Sequence, residues 1–410
     1  MIDNERAWLA IRKREIGSLE SHSPDTIVAY RQAIDDAINK NQNDPWLWIQ
    51  KGLAAEASPL THGQAGGAES LPSYKTALTL DPKNLAALHY AIHCNENLGQ
   101  IKEALEGSTV YVRLAPAIPH AHHMHGHELV RVGRTDEAIQ EFVKADELEE
   151  NYYRTEKIPA QYDWHHAHNL QLLALSYELL GQDKAAGKLL QQAFALPAST
   201  EFLAYNRRVW PEFLINRGRF VEALAASQEM SKSQWPMAKL AGHTLAGEAL
   251  LGLNRLEESQ QELSLAEQEA AALPERIVAA LPYPAALRGS IMLRQNRQRE
   301  GESIIVNVIT STLAMPGPDA WLAAIFTLES LARDARTAGD WPLAQFTAEQ
   351  MIQHDPYYAG GHFAIGLVAE HAGENEGART MFTEAARLWS HGDQDLPELV
   401  LTQKKLRALN

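Results

Sequence analysis

The sequence predicts an all-α protein in which pairs of helices stack into an α-solenoid. Three observations favour this class: a glycine-centred helix-turn-helix pattern recurs along the chain, strand-type alternation is scarce, and the composition of 45% hydrophobic and 22% charged residues is typical of a globular protein. A chain of 410 residues is also long enough to bury a large core. We therefore expect a right-handed superhelix of helix pairs, with a concave inner surface and no significant β-sheet.

Composition and charge exclude several classes of protein. The formal net charge of −15 argues against nucleic-acid and anionic-membrane partners, which need a basic surface. The chain has no run of eighteen apolar residues, and its only cysteine, Cys94, cannot form an intrachain disulfide. We expect a cytoplasmic protein with a small-molecule or peptide substrate. The sequence leaves open whether the chain forms a homo-oligomer.

The first 44 residues are predicted to form helices that pack on the solenoid. The segments "DNERAWLAIRKREIGSL" and "SPDTIVAYRQAIDDAINK" both carry a helical pattern. In the second segment Ser23 suits the N-cap and Pro24 suits the first helical position. We place the domain boundary after residue 44, with the solenoid over 45–410.

The solenoid prediction depends on a repeat near 34 residues. "LGQIKEALEG" (98–107) and "VGRTDEAIQE" (132–141) align so that Gly99 matches Gly133 and Ala104 matches Ala138. Weaker versions have asparagine in place of the glycine, at Asn254 and Asn296. The glycine is predicted to close the first helix of a pair, and the small alanine to let the second helix pack closely.

Two segments test this interpretation. "ADELEENYYRTEKIPAQYD" (145–163) interrupts the spacing, and we expect a long loop there. "ESIIVNVITST" (302–312) is β-branched and strand-like, but it occupies a second-helix position, so we expect a helix. The repeat resembles the tetratricopeptide repeat, a helix-turn-helix unit, over roughly residues 45–391, in a degenerate rather than a consensus form.

Histidine is concentrated on the predicted first helices of three consecutive repeats. Ten of the seventeen histidines lie within 89–168. In "LHYAIHCNE", His89, His93 and Glu96 fall within about 60° on one helical face, because each residue advances the helix by about 100°. Two imidazoles at positions i and i+4 can bind one metal ion.

The run "PHAHHMHGH" divides its histidines between two faces. His120, His123 and His127 lie within about 60° of one another, whereas His122 and His125 point elsewhere. The third group, "YDWHHAHN", places His165 and His168 on one face. Its neighbours Tyr162, Asp163 and Asn169 are predicted to support the imidazoles or to contact substrate, with Asp163 holding an imidazole N–H.

These stripes predict a transition-metal site with one or two ions. Neighbouring helices pack about 10 Å apart, so side chains from three helices can reach a common point. Imidazole suits several metals, and the sequence does not distinguish Fe, Cu, Mn and Zn. The ion would activate water or dioxygen in an oxidative or hydrolytic enzyme, with Glu96 as a ligand or general base. The predicted ligands are His89, His93, Glu96, His120, His123, His127, His165 and His168.

The ordered motifs are similar to a more specific group. "LHYAIHCNE", "PHAHHMHGH" and "YDWHHAHN" resemble the HYYIHxxE, HLxHMPSH and Tyr-x-x-HN segments of a group of bacterial tetratricopeptide-repeat proteins, and distantly the tetratricopeptide repeat protein 38 group. The resemblance covers residues 45–190 and implies a shared site, but no reaction. Met124-His125-Gly126 stands where Met-Pro-Ser is usual, which marks His125 as incidental.

Other interpretations stay open at this point. The chain could be a protein-interaction scaffold with a structural metal, or with a metal-free histidine groove that senses pH. His62, on a Gly-containing segment before the first stripe, is a further candidate for the site. Arg207 and Arg208, in the next repeat, are candidates for binding an anionic substrate group.

Overall fold

The computed structural model describes residues 3–21, 23–56, 67–279 and 281–409, and all regular structure within these ranges is helical. His62 therefore lies outside the described residues. Contacts divide the chain into two compact units, one of residues 1–148 with 316–318, and one of residues 149–315 with 319–410. The predicted boundary after residue 44 stays a prediction.

The first unit is built from consecutive helices that contact each other in chain order. Its helices are α1 Asp3–Ser21, α2 Pro24–Lys40, α3 Pro45–Glu56, α4 Leu71–Leu80, α5 Leu85–Asn97, α6 Ile101–Leu114, α7 Pro119–Arg131 and the greater part of α8 Thr135–Glu156. The helices predicted within 1–44 are confirmed, and α2 begins as expected, with Ser23 at the N-cap and Pro24 at the first position.

The second unit begins at Glu149, within α8, and its helices also contact each other mainly in chain order. A 3₁₀ turn at Ala160–Tyr162 precedes α9, and a second turn at Trp389–His391 precedes the last helix. The helices are α9 Trp164–Leu179, α10 Asp183–Ala195, α11 Glu201–Asn206, α12 Val209–Asn216, α13 Phe220–Met230, α14 Pro236–Gly252, α15 Leu256–Ala271, α16 Glu275–Ala279, α17 Ala285–Arg294, α18 Gln298–Leu313, α19 Pro318–Thr337, α20 Trp341–His354, α21 Ala359–His371, α22 Asn375–Leu388 and α23 Pro397–Ala408.

The turn glycines behave as the repeat predicts. Gly99 and Gly133 adopt φ of 70° and 73°, in the left-handed region that L side chains rarely adopt. Asn254 and Asn296, which replace glycine in the weaker repeats, also have positive φ, of 59° and 60°. Asparagine tolerates this conformation better than most residues, so the degenerate repeats keep the same turn geometry. These turns confirm the tetratricopeptide-like, all-α solenoid class.

The two test segments give different outcomes. Residues 302–312 lie in α18, so helix is confirmed for the β-branched run. The prediction of a long loop over 145–163 is wrong, because α8 continues to Glu156 and leaves only residues 157–163 outside regular α-helix. The helical part of the segment, 145–156, contains four glutamates, which favour helix, and no glycine or proline, and this propensity outweighs the irregular repeat spacing.

The α7–α8 contact requires a glycine. A Cβ on Gly126 would lie 2.7 Å from the ring of Phe142, which is fully buried. We expect Gly126→Ala to lower the free energy of unfolding by about 1–3 kcal/mol, as overpacking does. Gly17→Ala in α1 is the control, since no atom of the described residues lies within 4 Å of its Cβ position and alanine there gains about 0.5–1 kcal/mol. Equal denaturant midpoints for Gly126→Ala and wild type would contradict this packing.

Candidate metal centre

Three imidazoles from two first helices converge in the first unit. The Nε2 atom of His89 lies 3.1 Å from Nε2 of His93 and 2.9 Å from Nε2 of His120. Each of the three residues offers a nitrogen within 4.8 Å of the other two, and all three are partly exposed. The structure thus joins the first predicted stripe, on α5, to the second, on α7.

Local structure positions both helices. Asn84 caps α5 by accepting a hydrogen bond from the backbone N–H of Ala87, 3.1 Å away. Pro119 occupies the first turn of α7, as predicted, so the helix begins at the histidine run. Because α5 and α7 contact each other directly, their histidine faces meet.

The spacing of the three nitrogens suits a metal ion. Ligand nitrogens at 2.0–2.1 Å from a tetrahedral ion lie about 3.3 Å apart. The two separations of 3.1 and 2.9 Å between these imidazole nitrogens are close to that value. The same nitrogen of His89 faces both neighbours. An imidazole nitrogen carries either a proton or a lone pair, so it cannot donate to one neighbour and accept from the other. A cation at their centre would use all three lone pairs.

A second pair of imidazoles continues along α7. The Nε2 atoms of His123 and His127 lie 2.9 Å apart, and both side chains are buried. The rings of His120 and His123 stack with centroids 5.5 Å apart. A continuous row of five imidazoles therefore runs from His93 to His127 within this unit, which is more than one tetrahedral ion uses.

Two carboxylates follow the histidines along their helices, Glu96 after His93 on α5 and Glu128 after His127 on α7. Glu96 and Glu128 are both buried, and Oε1 of Glu96 is 3.7 Å from a guanidinium nitrogen of Arg131. Burial, and next the charge of Glu96, raise the pKa of Glu128 to about 9, while Arg131 opposes the shift. Among the described side chains, Glu96 belongs to no set of three ligand atoms within 4.8 Å, and its role as ligand or general base stays a prediction.

The two histidines predicted to point elsewhere do so. His122 contacts Glu141 on α8 at 2.6 Å, and the hydrogen bond to that carboxylate raises the pKa of His122. His125 contacts Ser108 on α6 at 3.0 Å, and burial lowers its pKa. The division of the five-histidine run into two faces is confirmed.

The third histidine group lies on α9 and belongs to the second unit. Glu149 accepts from Nδ1 of His165 and lies 3.2 Å from Nδ1 of His166. Burial alone would raise the pKa of Glu149, but the hydrogen bonds from these histidines lower it. Nε2 of His168 lies 3.4 Å from Asp319, and burial lowers the pKa of this histidine. His165 and His168 stay predicted ligands.

Asp163 differs from its predicted role, whereas the roles of Tyr162 and Asn169 stay predictions. Asp163 does not hold an imidazole N–H in these contacts: one oxygen accepts from the backbone N–H of His165 and caps α9, and the other accepts from the Tyr153 hydroxyl. A side-chain oxygen at the N-cap position commonly accepts from the backbone N–H of the second or third residue of the helix, and Asp163 does so here. Tyr162 is 71% exposed, whereas Asn169 is fully buried within α9.

Arg207 and Arg208 are engaged in structural contacts in the second unit. Arg207 pairs with Glu229 at 2.6 Å and donates to the carbonyl of Phe194 at 2.8 Å. Arg208 lies 3.5 Å from a carboxylate oxygen of Glu212. These pairings stabilise the local fold, and substrate binding by either arginine stays a prediction.

Sequence reasoning missed three charged residues next to the histidines. Glu128 and Arg131 lie on α7 beyond the histidine run, and Glu149 lies in the segment 145–163, for which a long loop was predicted. The sequence did contain a signal for Glu128, because it is the only acidic residue of α7 and directly follows the histidine run. Glu149 had no such signal, because its burial against two imidazoles of α9 depends on tertiary packing.

Comparison with known proteins supports tetratricopeptide-like repeats. The sequence model of the tetratricopeptide repeat family matches residues 119–152, which span the histidine run and its partner helix. No curated protein matched the sequence. Among the described residues, no helix is both long and apolar enough to cross a bilayer.

Solved structures with a similar fold are distant in sequence. A tetratricopeptide repeat protein from Parabacteroides merdae is 15% identical, with a TM-score of 0.44, and the match covers 66% of this chain and 96% of that one. Yeast Tom70 is 14% identical, with a TM-score of 0.37, over 100% of this chain and 96% of that one. The likeness concerns the fold alone.

Proposed function

We propose that this chain is a metalloprotein that holds one or two transition-metal ions on the histidines of α5 and α7. The observation that carries the proposal is the convergence of the Nε2 atoms of His89, His93 and His120. The buried pair His123 and His127 supplies the position for a second ion.

The arrangement favours a metal-dependent enzyme over a structural metal site. Structural zinc sites are closed by four protein ligands, whereas catalytic sites have three and leave one position for water or substrate. The three-histidine set offers three ligands and is partly exposed. A bound ion would act as a Lewis acid or redox centre, in a hydrolytic or oxidative reaction on a small molecule or peptide. The chain would hold and orient the ion through these imidazoles, with Glu96 as the candidate base.

The first experiment is elemental analysis of untagged protein that has never contacted a nickel column. We expect one or two equivalents of Fe, Cu, Mn or Zn per chain. Protein that is metal-free and also fails to take up added Fe, Cu, Mn or Zn would contradict the proposal and favour a metal-free peptide-binding scaffold.

A pair of neighbouring variants tests the facial arrangement. We expect His123→Ala to lower the metal content sharply, since its Nε2 lies 2.9 Å from that of His127 within the row. His125→Ala should leave the metal content unchanged, because His125 is directed to Ser108 on another face of the same helix. Equal metal loss in both variants, or loss in neither, would contradict the assignment.

A further inference from the structure

A basic cavity lies in the second unit, and none of the histidines of α5 and α7 lines it. It is open, has a volume of about 360 Å³ and lies where the last turns of α19, α21 and α23 meet the start of α20. Its lining includes Arg333, Arg336 and Lys405, against one carboxylate, Glu370. This concentration of positive charge stands out in a chain with a net charge of −15.

Arg336 is a cation without a counter-ion. Its Nη1 atom is buried and has no hydrogen-bond partner, and within the described part of the chain its guanidinium forms no ion pair. Its neighbours are engaged elsewhere: Arg333 donates to the carbonyl of Asn216 and to Ser330, and Lys405 pairs with Glu370. A partly buried charge left unpaired is costly, so an anion bound beside this guanidinium would stabilise the arrangement.

The electrostatics of Arg336 point the same way. Burial, and next the charge of Arg333, lower the pKa of Arg336 to about 10, although arginine ordinarily stays protonated far above that value. Glu329 and Asp334 oppose the shift from a distance without cancelling it. Its place in the last turn of α19 gives some helix-dipole stabilisation, which is typically below about 1 kcal/mol at a surface.

The wall beside the arginines is flat and aromatic. The rings of Trp341 and His371 stack with centroids 3.7 Å apart and an interplanar angle of 8°, and both residues line the cavity. Such a surface contacts the planar or apolar body of a ligand while the guanidinium binds its charged end. Guanidinium groups match carboxylate and phosphate oxygens by paired N–H···O bonds.

We propose that this cavity binds the oxyanion group, carboxylate or phosphate monoester, of a small molecule with a planar body, and that Arg336 is its anion-binding residue. Arg333 adds long-range positive charge, and the Trp341–His371 stack receives the ring. The site is independent of the histidine cluster in the first unit.

The test is titration calorimetry of the full chain with three probes of one shape: phenyl phosphate, benzoate and the neutral benzamide. We expect one or both anions to bind and benzamide to bind much more weakly. Arg336→Met should weaken anion binding about 10- to 100-fold, which is the usual effect of losing a charged hydrogen bond. Arg379→Met is the matched control, because Arg379 is exposed and pairs with Glu376 one turn away on α22.

The outcomes separate the possible ligands. Binding of phenyl phosphate alone supports a phosphate site, and binding of both anions supports a general oxyanion site. No anion binding, equal binding of benzamide, or unchanged binding by Arg336→Met would overturn the proposal. The variant should also unfold at the same or a higher temperature than wild type, since it removes an unpaired charge. A variant that fails to fold would show that Arg336 holds the structure together, and would overturn the proposal too.

Discussion

His89→Ala is expected to abolish metal binding at the three-histidine set. Its Nε2 atom is the shared neighbour of His93 and His120, at 3.1 and 2.9 Å. Loss of an outer-sphere partner of a metal ligand typically costs 10- to 100-fold in affinity, so loss of the central ligand should cost more than about 100-fold. The measurement is competition with a chromophoric chelator at fixed pH, because imidazoles bind metal only when deprotonated.

His122→Ala is the matched control for this variant. It removes an imidazole from α7 that contacts Glu141 rather than the metal cluster. Its metal affinity should equal that of wild type, and both variants should keep the helical circular dichroism of the parent. A His89→Ala protein with wild-type affinity would show that the ion binds elsewhere, whatever the metal content of the parent.

Arg217→Met is expected to destabilise the second unit by about 3–5 kcal/mol, the usual effect of breaking a buried ion pair. The Arg217 side chain is only 8% exposed. Its guanidinium nitrogens lie 2.9 Å from Glu178 and Asp183 and 3.8 Å from Glu329 and Glu398. These carboxylates belong to α9, α10, α19 and α23, so one cation links four helices to the end of α12.

The destabilisation caused by Arg217→Met should increase as the pH rises. Burial raises the pKa of Glu178 to about 8 and that of Asp183 to about 6, against unfolded values near 4. Because these folded-state values are raised, their contribution to stability is present below about pH 4 and is lost as pH rises toward 8. Without the opposing charge of Arg217 both values rise further, so the variant should lose more stability than wild type between pH 5 and 8.

Arg219→Met provides the comparison for this prediction. Arg219 lies two residues away, but it pairs with Glu222 at the surface, where the side chains are 43% and 56% exposed. Exposed pairs contribute about 0.2–1 kcal/mol, so this variant should unfold close to wild type at every pH. Equal urea midpoints for the two arginine variants would mean that the buried cluster is not a source of stability.

Most of the helices and turns could be predicted from the sequence, because they depend on residues that are close together in the chain. Gly99 and Gly133 predicted turns that require positive φ, and Asn254 and Asn296 marked the same turns in degenerate repeats. The repeat register also identified 302–312 as helix despite its β-branched residues. These features could be predicted because backbone conformation and helix periodicity depend on residues close together in the chain.

Helical geometry likewise determined which histidines share a face. His123 and His125 were predicted to lie on different faces because each residue rotates the helix by about 100°. The structure places their side chains against different neighbours. The tertiary structure alone decided what each face meets. It brought His120 to His89 across 31 residues, buried Glu128 near Glu96, and left Arg336 without a counter-ion. Such encounters depend on how helices distant in sequence pack, and neither periodicity nor composition encodes them.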